Sequence, residues 1–450
     1  MKKKCIQLIM LMILLLVSCG TSDEEENVAA IEQSVQKEYP QEKEEAGSEI
    51  PLDNQEKETV SFVNIWREDV FLKEQSLSFS QDNSSQHIEY SEVLESDAMN
   101  RTLIDILSGK GPDILCVDRE NMKNLIENGA LGNLDDIILE TNRDAILPGA
   151  IEIGSTKDGW YGIPKSVSID TMATSREYWN ESSWNISDVQ SIVQNNDINS
   201  LFVDYTGQDN WWYSLYFLLG KDMESTPFLK DGVAYFDTKE FQDLLALIKN
   251  KSGNLTLRSG IKYSAEALNS GDIVGMSCSI FSMEEFGSYR KWIGPNCCFT
   301  GYPSETGHGT YLVDQGIIVV NKDSMNKKGV VEFVNFLVSL NTQQLIKKGI
   351  SIRMDVPEKL WYYDEDMEMY FVIYPDGTRT RLPENNDYST FLDEYLELIK
   401  NAVPRKSYDT DELFDVIAEE ADAYFSYDKN LKEVTKTIQN RVKLYFGERR

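Results

Sequence analysis

The chain has only two histidines, His87 and His308. A serine hydrolase therefore has few candidate bases, and a transition-metal site has few imidazole ligands. Cysteine is also scarce. There are six, and none is spaced C-x-x-C. Cys116, Cys278, Cys297 and Cys298 are expected as small buried hydrophobes, since adjacent cysteines bridge poorly. Basic excess is absent: 44 Lys and Arg face 75 Asp and Glu, a formal net charge of −31. Nucleic-acid binding needs clustered cations and is excluded on that ground. No apolar run follows the first one, so no later segment is expected to span a membrane. Phosphate-binding and nucleophile-elbow patterns fail as well. Gly109-Lys110-Gly111 lacks the P-loop spacing, and Gly275-Met276-Ser277-Cys278-Ser279 has serine where the elbow needs its last glycine. Asp364-Glu365-Asp366 lacks the glycine of a calcium loop. Neither a metal nor a cofactor is expected.

The N-terminus is rich in signal. Lys2, Lys3 and Lys4 precede a run from Ile6 to Val17 that is apolar except for Gln7. The run is shorter than the ~20 residues of a spanning helix and fits a secretory segment. It ends in Leu16-Val17-Ser18-Cys19, a sequence that resembles a bacterial lipobox. The resemblance implies removal of residues 1–18 and a diacylglyceryl group on Cys19, giving two-chain anchoring at the outer face of the cell membrane of a Gram-positive bacterium. From Asp23 to Glu58 there are thirteen acidic residues against three lysines. Residues 19–58 are therefore expected to be an extended, solvated tether.

The remaining chain is too long for one core and predicts two α/β lobes. Val60 to Trp66 alternates as a strand, and Ile88–Val93 follows as a second after a polar stretch. Met99, Leu103, Ile106 and Leu107 repeat at helical spacing, Asp113–Val117 reads as a buried strand, and Asn121–Asn128 as a helix. Further helices are expected at 209–220, 238–250, 262–270 and 327–340. Extended segments are expected at 273–279 and at 311–320. Pro375-Asp376-Gly377 marks a hairpin turn, and two amphipathic helices close the chain.

Leu107 to Leu115, Asn128 to Leu134, Asp158 to Pro164, Gly301 to Ser304, Gly316 to Asn321, Ala418 to Phe425 and Ile438 to Tyr445 occur in one order along the chain. In that order they resemble the extracellular solute-binding proteins of family 1, the group that includes maltose-binding protein. The resemblance implies a two-lobed periplasmic-binding-protein-like fold of type II, hinged, with its ligand in the cleft. Lobe one would be 59–167 plus 312–355, lobe two 168–311 plus 385–450, and 356–384 a hairpin insertion. It implies a monomeric, non-enzymatic receptor that passes a small polar ligand, a sugar or oligosaccharide, to the permease of an ABC importer.

Carried over by position, the ligand would meet Trp66 at the end of the first strand, the Asp118-Arg119 pair, and Ser166 and Ser168 at the first hinge. In the second lobe it would meet Trp211 and Trp212 at a helix start, and Phe281. Asp314 would lie at the hinge or rim. Trp211 and Trp212 point about 100° apart on a helix; Trp211 is expected in the cleft and the other in the core. The family's carboxylate near Ser168 is absent here. A surface glycosidase would need only two carboxylates, and a receptor feeding a membrane sensor would share every feature above. Both stand as alternatives to import.

Overall fold

The computed structural model describes residues 57–448 except 222, 224, 225, 231, 365, 366, 368, 383–389 and 406–408. The secretory segment, Cys19 and most of the acidic tether lie outside them.

The first strand, Glu58–Asn64, buries Val60, Phe62 and Asn64 on one face. It is the second strand of a five-stranded sheet ordered Gln86–Glu92, Glu58–Asn64, Ile114–Val117, Ile317–Val320, Gly162–Pro164. Ile317–Val320 runs antiparallel to both its neighbours, and the first three strands are parallel. Asp113, just before the third strand, is buried and accepts from the Ser61 amide (2.9 Å), the Ser61 hydroxyl (3.0 Å), Ser324 (2.5 Å) and Lys327 (2.6 Å). Burial opposes its ionisation, but Lys327, Ser324 and Ser61 outweigh it and hold the carboxyl below the usual range. It ties the first strand to the chain near residue 325, which explains an aspartate at that point of the motif.

The polar stretch after Trp66 is a helix, Val70–Asp82, which the apolar pattern did not reveal. Its buried face mixes Leu72 and Phe79 with Gln75, Ser76 and Ser80. Ser76 and Ser80 donate to carbonyls one turn back, at 2.8 and 2.7 Å, so the burial leaves these hydroxyls satisfied while the hydrophobic period is broken.

The second sheet runs Val403–Pro404, Tyr311–Asp314, Val167–Ser175, Ile273–Ile280, Ser200–Val203, with Cys297–Phe299 also paired to Val167–Ser175. Tyr311–Asp314 and Ile273–Ile280 both run antiparallel to Val167–Ser175. The expected single extended stretch over 311–320 is two strands in different sheets, broken at Gln315-Gly316. Gly316 sits at φ +92°, which an L side chain rarely adopts. The chain thus crosses between sheets at Lys165-Ser166 and returns at Gln315-Gly316, so that Tyr311–Asp314 belongs with the second sheet. The two crossings are hydrogen-bonded to each other: the Lys165 amide donates to Gly316 (2.9 Å) and the Gln315 amide to Ser166 (3.0 Å).

Helices Ile186–Asn195, Lys239–Lys251, Asp409–Phe425 and Leu431–Glu448 bury apolar residues in one cluster with Met172, Phe202 and Val274 of the second sheet. Cys116, Cys278 and Cys297 are buried and Cys298 is half-buried, all as free thiols. The insertion forms a three-stranded sheet, Trp361–Asp364, Met369–Ile373 and Arg379–Arg381, with Gly377 at φ +82° in the expected turn. Trp361, whose strand had no clear signal, stacks on Phe391 (4.9 Å, 16°). Among the described residues no helix is long and apolar enough to cross a membrane.

Candidate functional site

Strand direction decides where a site can form. In the first sheet the parallel strands end at Asn64, Glu92, Val117 and Pro164, and Ile317 pairs with Val117 and Pro164. In the second, Ile280 pairs with Ile169 and Asp314 with Val167. Only two residues separate Pro164 from Val167. The carboxyl-terminal edges of both sheets therefore meet at the crossing ribbon, the position where open α/β sheets bind ligands.

On the first-sheet edge, Asn64 is fully buried at a strand end. Its amide donates to the Arg67 carbonyl (2.6 Å) and Tyr90 hydroxyl (3.0 Å), and its oxygen accepts from the Trp66 amide (3.1 Å). This turns the chain and presents Trp66 and Arg67. The Arg67 guanidinium lies 3.7 Å over the Trp66 ring. The ring's benzo edge abuts Gly316, where a Cβ would fall 2.7 Å from it. Trp66 follows the end of the first strand, and Arg67 occupies a ring face that a stacked sugar would need. Arg67 donates to the Gln315 side-chain oxygen (2.8 Å), whose amide donates to Ser168 Oγ (2.9 Å). Lys165 pairs with Asp69 at 2.5 Å, and Asp69 also caps helix Val70–Asp82 through Leu72 (3.0 Å).

Asp118 is the N-cap of helix Arg119–Glu127. Its two oxygens accept from the Asn121 amide (2.7 Å) and side chain (3.0 Å), so its lone pairs serve the helix start. Arg119 reaches across to Asp314 (3.0 Å), and both are largely buried. It also donates to the Arg405 carbonyl. Among the described residues the buried Ser166 hydroxyl has no hydrogen-bond partner, and it crowds Gly349, whose imagined Cβ would lie 2.3 Å away. Phe281 is 38% exposed at the end of its strand, and its carbonyl accepts from Gly349 (3.0 Å).

Asn210 caps the helix Trp211–Leu215 by accepting from Tyr213 (3.0 Å), and a π-helical segment, Tyr216–Gly220, continues it. The two tryptophans differ in their surroundings. Trp211, expected in the cleft, stacks on Phe425 (4.5 Å, 10°) and packs against the hydrophobic cluster that includes Phe202 and Val274 of the second sheet. Trp212 is 37% exposed and stacks on Tyr216 (5.0 Å, 20°). Arg405 donates to the Tyr216 hydroxyl (3.0 Å) and pairs with Asp411.

Sequence reasoning missed the pair beneath this cluster. Lys221 bonds Asp170 at 2.7 Å, with Ser279 donating to the other oxygen (2.9 Å). Burial opposes the Asp170 charge, but Lys221, Ser279 and Arg405 outweigh it and hold its carboxyl below the usual range. Burial likewise disfavours the Lys221 ammonium, yet its anionic and phenolic neighbours raise its pKa above the ordinary lysine value. One signal was available: Asp170 shares a strand face with Ser168, two residues away. Its partner is 51 residues distant and could come only from the fold.

A cavity of about 710 Å³ is lined, among others, by Arg119, Ile126, Asp158, His308, Tyr311 and Arg405. Of the expected binding residues only Arg119 lines it. Among the described residues no group of His, Cys, Asp or Glu is placed to hold a metal ion.

Residues 61–344 match the family model described as bacterial extracellular solute-binding protein. No curated protein sequence matches the chain. Among solved structures, an extracellular solute-binding protein of family 1 from Alicyclobacillus acidocaldarius is similar at 14% identity and TM-score 0.54, covering 88% of this chain and 100% of its own. The sugar-binding protein MalE from Xanthomonas citri gives 12% and 0.54, with 87% and 98% covered. The cyclic α-maltosyl-1,6-maltose binding protein from Arthrobacter globiformis gives 12% and 0.51, with 87% and 100% covered. At these identities the structural likeness speaks for the fold, and it is the same two-lobed α/β fold. Sheet order, crossing ribbon and family match agree: this chain belongs to the bacterial extracellular solute-binding proteins.

Proposed function

We propose that the chain captures a small polar solute, a sugar or oligosaccharide, between its lobes and delivers it to the permease of an ABC importer. In this reading Cys19 carries the lipid anchor and the acidic tether spaces the receptor from the membrane. As a member of an extracellular family the chain works outside the cytoplasm. The observation that carries the reading is the meeting of two carboxyl-terminal sheet edges furnished with aromatic rings and hydrogen-bonding groups. The family and its structural neighbours are binding proteins, and the sugar-binding members among the neighbours favour a saccharide guest.

Closure follows from contacts that exist only when both edges touch the guest. A glycan panel screened by thermal shift is expected to yield at least one ligand that raises the melting temperature without turnover. The same ligand is expected to reduce the radius of gyration in solution scattering. Steady release of reducing ends would instead mark a glycosidase, and silence across the panel would remove the saccharide reading.

Trp212 is the ring assigned to stack on the guest, because it stays open to solvent while Tyr216 fixes its plane. Trp212→Ala is expected to weaken binding by ~1–3 kcal/mol. Unchanged calorimetric affinity would take Trp212 out of the site.

A further inference from the structure

Arg119, Lys165, Lys221 and Arg405 all stand near the meeting edges, and each has a carboxylate of its own: Asp314 at 3.0 Å, Asp69 at 2.5 Å, Asp170 at 2.7 Å, and Asp411. Arg67 differs. Among the described residues it makes no ion pair. Its one side-chain hydrogen bond there is to the neutral oxygen of Gln315, at 2.8 Å. Burial lowers its pKa, with Asp69 and Cys116 only partly opposing. Its position is nevertheless defined. Trp66 lies 3.7 Å beneath it, Gln315 holds one terminal nitrogen, and the Gln315 amide is itself held by Ser168 at 2.9 Å. Arg67 is an exposed residue, and Gln315 is its one side-chain hydrogen-bond partner among the described residues.

We propose that Arg67, laid on Trp66 and held by Gln315, recognises a carboxylate on the guest, and that the captured solute is an acidic saccharide carrying a uronate. The inference rests on the saccharide reading above and narrows it. A guanidinium presents a planar fork that matches a carboxylate with two parallel hydrogen bonds, and stacking on an indole pre-organises that fork. Closing the cleft over an unpaired cation with a neutral sugar would strip its water without replacing it, a net cost. Closing over a uronate replaces that water with a charge-assisted pair. The chain's net charge of −31 does not prevent this, because distant charges are screened over ~8 Å at physiological ionic strength. Trp66 then serves as the platform of the cation, in place of the sugar-stacking ring that its position at the strand end suggested.

The test is calorimetry on the full-length chain in detergent, with galacturonate di- and trisaccharides and their neutral galactose counterparts. The uronates are expected to bind at least about tenfold more tightly than the neutral pair. Arg67→Gln is expected to lower uronate affinity about tenfold more than neutral affinity, with Arg67→Lys between the two. An unchanged melting temperature in each variant would show that the fold is intact. Equal affinity for both series in the wild-type chain, or a uronate preference that survives Arg67→Gln, overturns the inference. If the neutral series binds and the uronates do not, the inference falls and the saccharide reading stands. If neither series binds and the wider glycan panel is also silent, both fall.

Discussion

Lys221→Met is expected to destabilise the protein by about 3–5 kcal/mol, because it leaves Asp170 charged, largely buried and without its cation. The side chains of Lys221 and Asp170 are only 9% and 15% exposed, so solvent screening offers little relief. Ser279 and the more distant Arg405 remain but cannot replace a bond of 2.7 Å. Equilibrium denaturation at neutral pH measures the loss. Adding Asp170→Asn to Lys221→Met is expected to recover much of it, since the burden is the uncompensated charge. A single-variant loss below ~1 kcal/mol would show that water reaches the pair and that it behaves as a surface bridge. The pH dependence has a definite sign. The Asp170 carboxyl is held below its unfolded value, so its contribution is complete above the unfolded carboxylate pKa. It is lost as pH falls through the depressed folded value. The Lys221 ammonium is raised, so its contribution persists below the ordinary lysine pKa and fades only as pH climbs through the higher folded one.

Much of this architecture was legible from local chemistry. The parallel strand–helix rhythm from Val60 to Gly129, the hairpin around Asp376 and the closing helices all follow from periodicity and turn residues. The fold class follows from their order together with the motif resemblance. What stayed hidden has identifiable causes. Helix Val70–Asp82 hides its period by burying serines that bond within the helix. The break at Gln315-Gly316 lies inside an apolar, strand-like run, and nothing local says that its halves serve different sheets. At the site, positional resemblance pointed to Trp66, Arg119, Asp314 and Phe281 but could not assign their work. Asp118 caps a helix, Trp211 stacks on Phe425, and Arg67 covers Trp66. Each of these depends on a partner brought in by tertiary packing, as does Lys221 beneath Asp170.

Gly316→Ala carries the other large effect. At φ +92° an alanine is strained, and its Cβ would lie 2.7 Å from the Trp66 ring and 2.9 Å from the Cys116 sulfur. Neither neighbour is the free end of a long side chain: Cys116 is fully buried and Trp66 is wedged beneath Arg67. The cost is expected at about 2–4 kcal/mol, combining backbone strain with overpacking. Denaturant midpoints measure it, and tryptophan fluorescence should report the displaced indole. Gly232→Ala is a matched control, because it too has positive φ, +71°, but meets nothing within 4 Å. If both variants lose the same stability, crowding at Trp66 contributes nothing and the close packing at Gly316 is unimportant.

The paired tethers Lys165-Ser166 and Gln315-Gly316 have a mechanical consequence. A two-residue link extends at most about 7 Å, and these two are stitched to each other through backbone amides. Such a strap cannot stretch or shear appreciably, so at this ribbon the facing sheet edges can turn but not slide apart. The ribbon is not the sole link, since Val167 also exchanges backbone hydrogen bonds with Ile350 and Arg119 reaches Asp314, and spectroscopic labels placed on either side of it would follow its bending.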